Sequence, residues 1–211
     1  MWDLSKHEKL EMEVLEGLNG LKVLGSLVFC GGTMLRLCHE LNRYSVDLDF
    51  WLVDDEKEKS VFDGIKEFLK AGFRLKSARN LTRAMVFEFA GKGYPRSLKI
   101  EIRKKRKDVS HEDMIAFSKH SNKQVMLKTA TLEDQMRSKI ETFLDRNQIR
   151  DAFDIEFLLK KGIGLKAGKK DLLAIKKLVE KFKQKDYTHS LGSLLEFKER
   201  QYYKTAHFRY L

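Results

Sequence analysis

The sequence predicts an α/β fold: a mixed β-sheet flanked by helices, followed by a helical C-terminal half. Three observations lead there. Apolar residues alternate with polar ones in "SVDLDFWLV", "RAMVFEFAG" and "RSLKIEIRK", the period of a half-buried strand. A segment with one charged and one apolar face, "DEKEKSVFDGIKEFLKAGF", falls between the first two and reads as a helix. Beyond about residue 125 the pattern is helical to the end. With 211 residues, 42 % of them apolar, the chain can bury a sizeable core.

Taken in order, the first helix is expected near residues 6–19, where Leu10, Val14, Leu15 and Leu18 share one face. "LKVLGSLVFC" leads into a short apolar strand ending at Cys30. Gly31 and Gly32 break it, and "TMLRLCHEL" follows directly as a helix. "SVDLDFWLV" is the next strand. The helix after it ends before Gly72. The strands of residues 83–91 and 96–104 are joined through a turn region holding Gly91, Gly93 and Pro95. Strands separated by helices, then strands joined by a turn, give a mixed sheet. The expected division is residues 1–125 as an α/β domain and 126–211 as a helical one. No linker separates them, so close packing is expected, with the helical half on the side of the site.

Composition bounds the partners. A net charge of +11 and a pI of about 9.5 attract polyanions, whether nucleic acid, nucleotides or an anionic membrane surface. A lysine-rich solubility surface accounts for the same charge equally well. No run of about 18 apolar residues exists to span a bilayer, and the charged N-terminus lacks the apolar centre of a signal peptide. Cys30 and Cys38 are the only cysteines and have no zinc-ligand spacing. The expectation is a cytoplasmic protein with reduced thiols and no membrane partner.

The chemistry-bearing residues begin with Asp47 and Asp49. On a strand they share one face, with Cα atoms roughly 6.5 Å apart, while Val46, Leu48 and Phe50 share the other. Aspartate is a poor strand former, so two of them opposite an apolar face need a reason. They can hold one hard cation or a closely spaced pair. In "SLKIEIRKK", Glu101 shares a face with Lys99 and Arg103. Alone, Glu101 is better read as an ion-pair partner of a neighbouring lysine or arginine. If its strand lies beside that of Asp47 and Asp49, it completes a three-carboxylate cluster. Like charges so close raise one another's pKa unless cations neutralise them, and Mg²⁺ is the expected ion.

Gly31, Gly32 and Thr33 stand at the strand-to-helix junction. Glycines allow a sharp turn and close approach of a phosphate, and the helix N-terminus presents free N–H groups. Thr33 is suited to cap the helix or to donate to a phosphate. Further on, "TLEDQMRSKIETFLDR" starts with Thr131 and Asp134 in a capping arrangement. On a continuous helix Lys139, Arg146, Arg150 and Asp154 fall on one face, and a kink near Asn147 is compatible with this. Such a stripe is either a solvated charged face or, beside the carboxylates, a set of cations for a triphosphate.

"GGTMLRLCHELNRYSVDLDF" resembles the signature of the nucleotidyltransferase superfamily, in particular its AbiEii/AbiGii-type toxin branch. Gly31, Gly32, Thr33, Arg43, Ser45, Asp47, Leu48, Asp49 and Phe50 carry the match. A second segment, "SKIETFLDRNQIRDAFDI", matches with Lys139, Arg146, Arg150, Asp151 and Asp154. Relatives often have Asp where this chain has Glu101. The resemblance implies a nucleotidyltransferase-like sheet and transfer of a nucleoside monophosphate from an NTP to an acceptor hydroxyl. Asp47, Asp49 and Glu101 would hold two Mg²⁺ ions, with Glu101 available to take the acceptor proton. Lys139 would contact the triphosphate, and the Arg-Asp-x-x-Asp segment would line the site. It also implies RNA, in particular tRNA, as the leading acceptor, with a small-molecule or protein hydroxyl as the alternatives, and a cognate antitoxin as a partner. Lys92, Arg96 and the run "LKIEIRKKRK" form a basic patch able to follow an RNA backbone. The competing reading is a non-catalytic nucleotide- or nucleic-acid-binding protein on a degenerate transferase fold.

Overall fold

The computed structural model describes residues 3–94, 96–104 and 109–211. Pro95 of the expected turn, and Lys105, Arg106 and Lys107 of the basic run, lie outside them. The chain forms two compact units. The first comprises the residues up to Glu40 together with Tyr44–Ala130, and the second Leu41–Arg43 with Thr131–Leu211.

The first unit is built on seven strands: Leu27–Cys30 (β1), Asp47–Leu52 (β2), Arg74–Asn80 (β3), Ala84–Ala90 (β4), Ser97–Arg103 (β5), His111–Phe117 (β6) and Gln124–Ala130 (β7). They make one sheet in the order β3-β4-β5-β2-β1-β7-β6. Pairs β2–β5 and β1–β7 are parallel, whereas β1–β2, β3–β4, β4–β5 and β6–β7 are antiparallel. The sheet is therefore mixed, as the sequence predicts. Among the described residues three α-helices accompany it: Leu4–Gly20 (α1), Gly31–His39 (α2) and Glu58–Gly72 (α3).

Register explains the core. Leu48 and Phe50 on β2 lie opposite Ile100 and Ile102 on β5, and these lie opposite Phe87 and Met85 on β4. All six are buried, because alternation sends one apolar set to one face. Helix α1 buries Leu10, Val14, Leu15 and Leu18, and α3 buries Val61, Ile65 and Leu69. The Phe62 ring on α3 lies 5.2 Å from that of Phe87. Helix α1 also buries Glu8, whose carboxylate accepts from Arg36 Nε at 2.9 Å and from the Ser118 hydroxyl.

Four local expectations are corrected. Gly31 and Gly32 do not precede the second helix but open it, with Cys30 in extended backbone as its N-cap. Strand β7 runs through residue 130, where helix is expected. Its Val125, Leu127 and Thr129 alternate into the core, a strand period hidden in a short segment. Strands β3 and β6 are absent from the sequence-based scheme. Both lie at the sheet edges and are mostly exposed, so neither has a buried apolar face alternating with a polar one to reveal it.

The second unit contains Leu132–Arg146 (α4), Ile149–Lys160 (α5), Lys169–Val179 (α6) and Phe197–Ala206 (α7). The expected cap forms: Thr131 Oγ1 accepts from Asp134 N at 3.4 Å. Asn147, in the left-handed region at φ 47°, ends α4, so the motif spans two helices rather than one. Aromatic rings fill the interior, with Phe153 5.0 Å from Tyr203 and Tyr187 5.3 Å from Phe208. Buried Glu156 ties down the tail by accepting from Tyr203 Oη at 2.6 Å and Arg209 N at 2.7 Å. The C-terminal aromatics Tyr187 and Tyr203 are packing residues. No described helix is long and apolar enough to cross a membrane.

Candidate functional site

Parallel pairing of β2 with β5 sets Asp47 beside Lys99 and Asp49 beside Glu101. Partners in register project to the same face. One sheet face therefore carries Asp47, Asp49, Lys99, Glu101 and Arg103, and the other carries the apolar core. The carboxylates are half-buried rather than solvated, with 30 % of the Asp47 side chain and 24 % of that of Glu101 exposed.

Lys99 stands among them. Its Nζ lies 3.2 Å from Glu101 Oε2 and 3.7 Å from Asp47 Oδ2. Arg103 Nε donates to the other oxygen, Glu101 Oε1, at 3.3 Å. Burial pushes the Glu101 carboxyl up, but Lys99 and Arg103 outweigh it and hold it below its ordinary value. Burial likewise lowers the Lys99 amine, and Asp47 and Glu101 more than reverse this. The mutual repulsion expected of the cluster is thus met by two cations of the chain itself. Among the described residues, no three His, Cys, Asp or Glu side chains stand in a grouping ready to enclose a metal.

The donor set nevertheless fits a hard cation. It consists of carboxylate oxygens on one face, with Asp49 and Glu101 in register. Gly31 supplies a second sign of fit. It adopts φ +80°, and a Cβ there would stand 2.5 Å from Asp49 Oδ2. Only glycine lets the β1–α2 turn close over that carboxylate. Gly31→Ala is expected to cost about 1–3 kcal/mol and to displace Asp49. Thermal melts together with Mn²⁺ titration of the full chain would check both effects.

Gly32 is buried in the first turn of α2. Thr33 is also buried, and its hydroxyl donates to Asp47 O at 2.6 Å. That bond fastens α2 to the start of β2, where the aspartates emerge, and commits the hydroxyl to a backbone carbonyl. Ser45 lies two residues before β2 and is half-buried. Lys92 and Arg96 lie within the connection between β4 and β5.

The second motif is gathered within the second unit. Arg43 and Asp154, 111 positions apart, meet as a two-pronged pair, Nε to Oδ1 and Nη2 to Oδ2, each at 2.6 Å. Lys139 Nζ is 2.6 Å from Asp154 Oδ2 and 3.6 Å from Asp151 Oδ1. Arg146 makes its own fork on Asp151, with both contacts at 2.8 Å. Asp151 and Asp154 are fully buried, Arg43 and Lys139 nearly so, and Arg146 is partly exposed. Burial raises the Asp154 carboxyl, yet the Arg43 and Lys139 charges prevail and hold it below its ordinary value. Both acids thus orient cations. Arg150 is half-buried and makes no ion pair among the described residues.

Lys99 is the residue a search for catalytic acids passes over. Its signal is present in the sequence: Lys-x-Glu-x-Arg puts all three side chains on one strand face.

Comparisons with known proteins show the family and the fold. The profile of the family described as "Nucleotidyl transferase AbiEii toxin, Type IV TA system" matches residues 15–208. A search of curated proteins finds no match. Among solved structures, the chain is similar to MenT4, a nucleotidyltransferase toxin from Mycobacterium tuberculosis H37Rv. The TM-score is 0.60 at 18 % identity, covering 99 % of this chain and 83 % of that one. It is also similar to JHP933 from Helicobacter pylori, with a TM-score of 0.52 at 23 % identity over 90 % of this chain and 77 % of the other. These likenesses show the fold. With nearly all of its length under the family profile, the chain belongs to the AbiEii nucleotidyltransferase toxin family.

Proposed function

We propose that this nucleotidyltransferase transfers a nucleoside monophosphate from an NTP to a hydroxyl of RNA, with tRNA as the leading acceptor, and that Asp47, Asp49 and Glu101 form its divalent-metal site. The observation that carries the reading is the in-register pairing of Asp49 with Glu101 on the face shared with Asp47. Two Mg²⁺ ions bound there would supply Lewis-acid activation of the acceptor oxygen and charge neutralisation at the α-phosphate and leaving pyrophosphate. Asp47 and Asp49 bind and orient. Glu101 would take the acceptor proton once Lys99 and Arg103 release its oxygens. Gly31 and Gly32 keep the backbone open for a phosphate at the start of α2. Lys139 is assigned to the triphosphate, with Asp151 and Asp154 holding it and its neighbouring arginines in place. The net charge of +11 favours a polyanionic acceptor.

Incubation with total RNA and each α-labelled NTP tests the acceptor. Label is expected in ribonuclease-sensitive, acid-insoluble material, and only with Mg²⁺ or Mn²⁺ present. Label that resists ribonuclease and enters protein would overturn the RNA assignment.

Lys99 makes a separable prediction. Its ammonium occupies the space a cation would share between Asp47 and Glu101, so Lys99→Met should tighten Mn²⁺ binding. Half-exposed pairs of this kind contribute up to about 1 kcal/mol each, so a gain of roughly five-fold is expected in calorimetric titration. Unchanged or weaker binding would show that Lys99 does not compete with the ion.

A further inference from the structure

We propose that His7 is a positioning residue for the nucleotidyl-transfer site: its ring N–H, together with the Thr33 hydroxyl, sets the direction in which the Asp47 side chain leaves the backbone. The inference rests on the reading of Asp47 as a metal ligand. It starts from the sheet register. The β1 ladder ends where Cys30 faces Asp49, so Asp47 and Leu48 extend beyond it and have a strand neighbour, β5, on one side alone. Backbone groups on the open side must find partners elsewhere.

Side chains from two helices supply them. Nε2 of His7, on α1, lies 3.0 Å from the Val46 carbonyl oxygen. A carbonyl only accepts, so Nε2 carries the proton and donates. Thr33, on α2, donates to the Asp47 carbonyl. The Val46 carbonyl belongs to the peptide plane that enters the Asp47 Cα, and the Asp47 carbonyl to the plane that leaves it. Peptide units are planar, so holding both leaves φ and ψ of Asp47 little freedom. The Cα–Cβ bond is thereby aimed onto the face shared with Glu101. Lys99 is the ion-pair partner of the carboxylate itself, at 3.7 Å, and a bound cation would displace it. The backbone hold does not depend on Lys99.

Stability alone argues against a histidine here. His7 is 1 % exposed, on the face of α1 that buries Leu10, Val14 and Leu18, where an apolar side chain would pack. Its Nδ1 has no hydrogen-bond partner among the described residues. Neither has one carboxyl oxygen of Glu11, which is equally buried and stands 3.6 Å from the ring. Each such atom costs about 1–3 kcal/mol. The one hydrogen bond that His7 makes goes to the residue before Asp47, which fits a role in the site.

Three variants of the full chain test this. His7→Gln has an amide nitrogen that reaches the place of Nε2, His7→Asn has a shorter one that stops near Nδ1, and His7→Leu has no donor. Calorimetric Mn²⁺ titration is the main readout, with label incorporation beside it and a thermal melt for the fold. Losing a group that orients a metal ligand changes affinity about ten- to a hundred-fold. His7→Asn and His7→Leu should therefore bind Mn²⁺ about ten-fold more weakly, with a comparable loss in kcat. His7→Gln should recover most of both. Equal Mn²⁺ affinity in all three variants overturns the proposal. So does a loss that follows the melting temperature without separating glutamine from asparagine, which is what packing alone predicts. Asp47→Asn, measured alongside, separates the two readings. If it weakens Mn²⁺ binding and the histidine variants do not, only the role of His7 falls. If it leaves binding unchanged, the metal assignment of Asp47 falls and this inference with it.

Discussion

Asp49→Asn is expected to abolish nucleotide transfer while leaving the fold intact. Asp49 is in register with Glu101 and lies under the Gly31 turn, so two elements of the proposed site converge on it. Losing one anionic ligand removes several kcal/mol of transition-state stabilisation, on the order of a thousand-fold in rate. Folding should not suffer, because asparagine keeps the shape and the change relieves repulsion within a row of acids. Incorporation of label from an α-labelled NTP into the acceptor reports the activity, and a thermal melt reports the fold. Near-normal turnover in this variant would remove Asp49 from the chemistry.

The second large effect is on stability. Asp154 is fully buried and neutralises both Arg43 and Lys139. Asp154→Ala removes the buried carboxylate on which Arg43 forks and leaves Lys139 with only the longer contact to Asp151, which costs about 3–5 kcal/mol. That corresponds to a fall in melting temperature of roughly 10 °C for a chain of this size. Replacing all three charges together, with Arg43→Met, Lys139→Met and Asp154→Leu, should recover much of the loss without restoring activity. The pair also has a pH signature. The folded-state pKa of Asp154 is depressed, so its stabilisation is fully present above the unfolded value, near 3.8, and is lost as pH falls through the folded one. Acid titration should therefore destabilise the wild type in that window and show a shallower slope in Asp154→Ala. A variant as stable as wild type would mean that the network is not structural.

The central strands were legible in the sequence because their chemistry is two-sided. Leu48 and Phe50, and Ile100 and Ile102, alternate with Asp47, Asp49 and Glu101, so one pattern revealed both the core face and the acidic face. Edge strands β3 and β6 carry no comparable contrast, since solvent reaches most of their side chains. The segment of β7 alternates, but it is short and adjoins helical sequence. At the site, the sequence identified the acids and showed Lys99 on the Glu101 face. It did not show Lys99 reaching Asp47, because that contact exists only through the parallel β2–β5 register. The pairing of Arg43 with Asp154 is a tertiary fact of the same kind. The family resemblance put Arg43 with the aspartates of the first motif, helical spacing put Asp154 with the cations of the second, and folding joined the two residues across 111 positions.

These ion pairs change how the second motif is understood. Its acids are fully buried, with their oxygens committed to Arg43, Lys139 and Arg146. Their substitution should resemble loss of an anchor, affecting stability and NTP affinity together. Loss of Asp49 should reduce turnover alone. This difference separates a metal-binding group from one that positions a cation.

The most direct measurement is a crystal of the protein grown with Mn²⁺ and a non-hydrolysable NTP, with data collected at the manganese edge. Anomalous density is expected on the sheet face of β2, within about 2.3 Å of carboxylate oxygens of Asp47 and Asp49, with Lys99 Nζ moved off Asp47. Manganese bound instead at Asp151 and Asp154, or nowhere on the β2–β5 face with the nucleotide in place, would contradict the account.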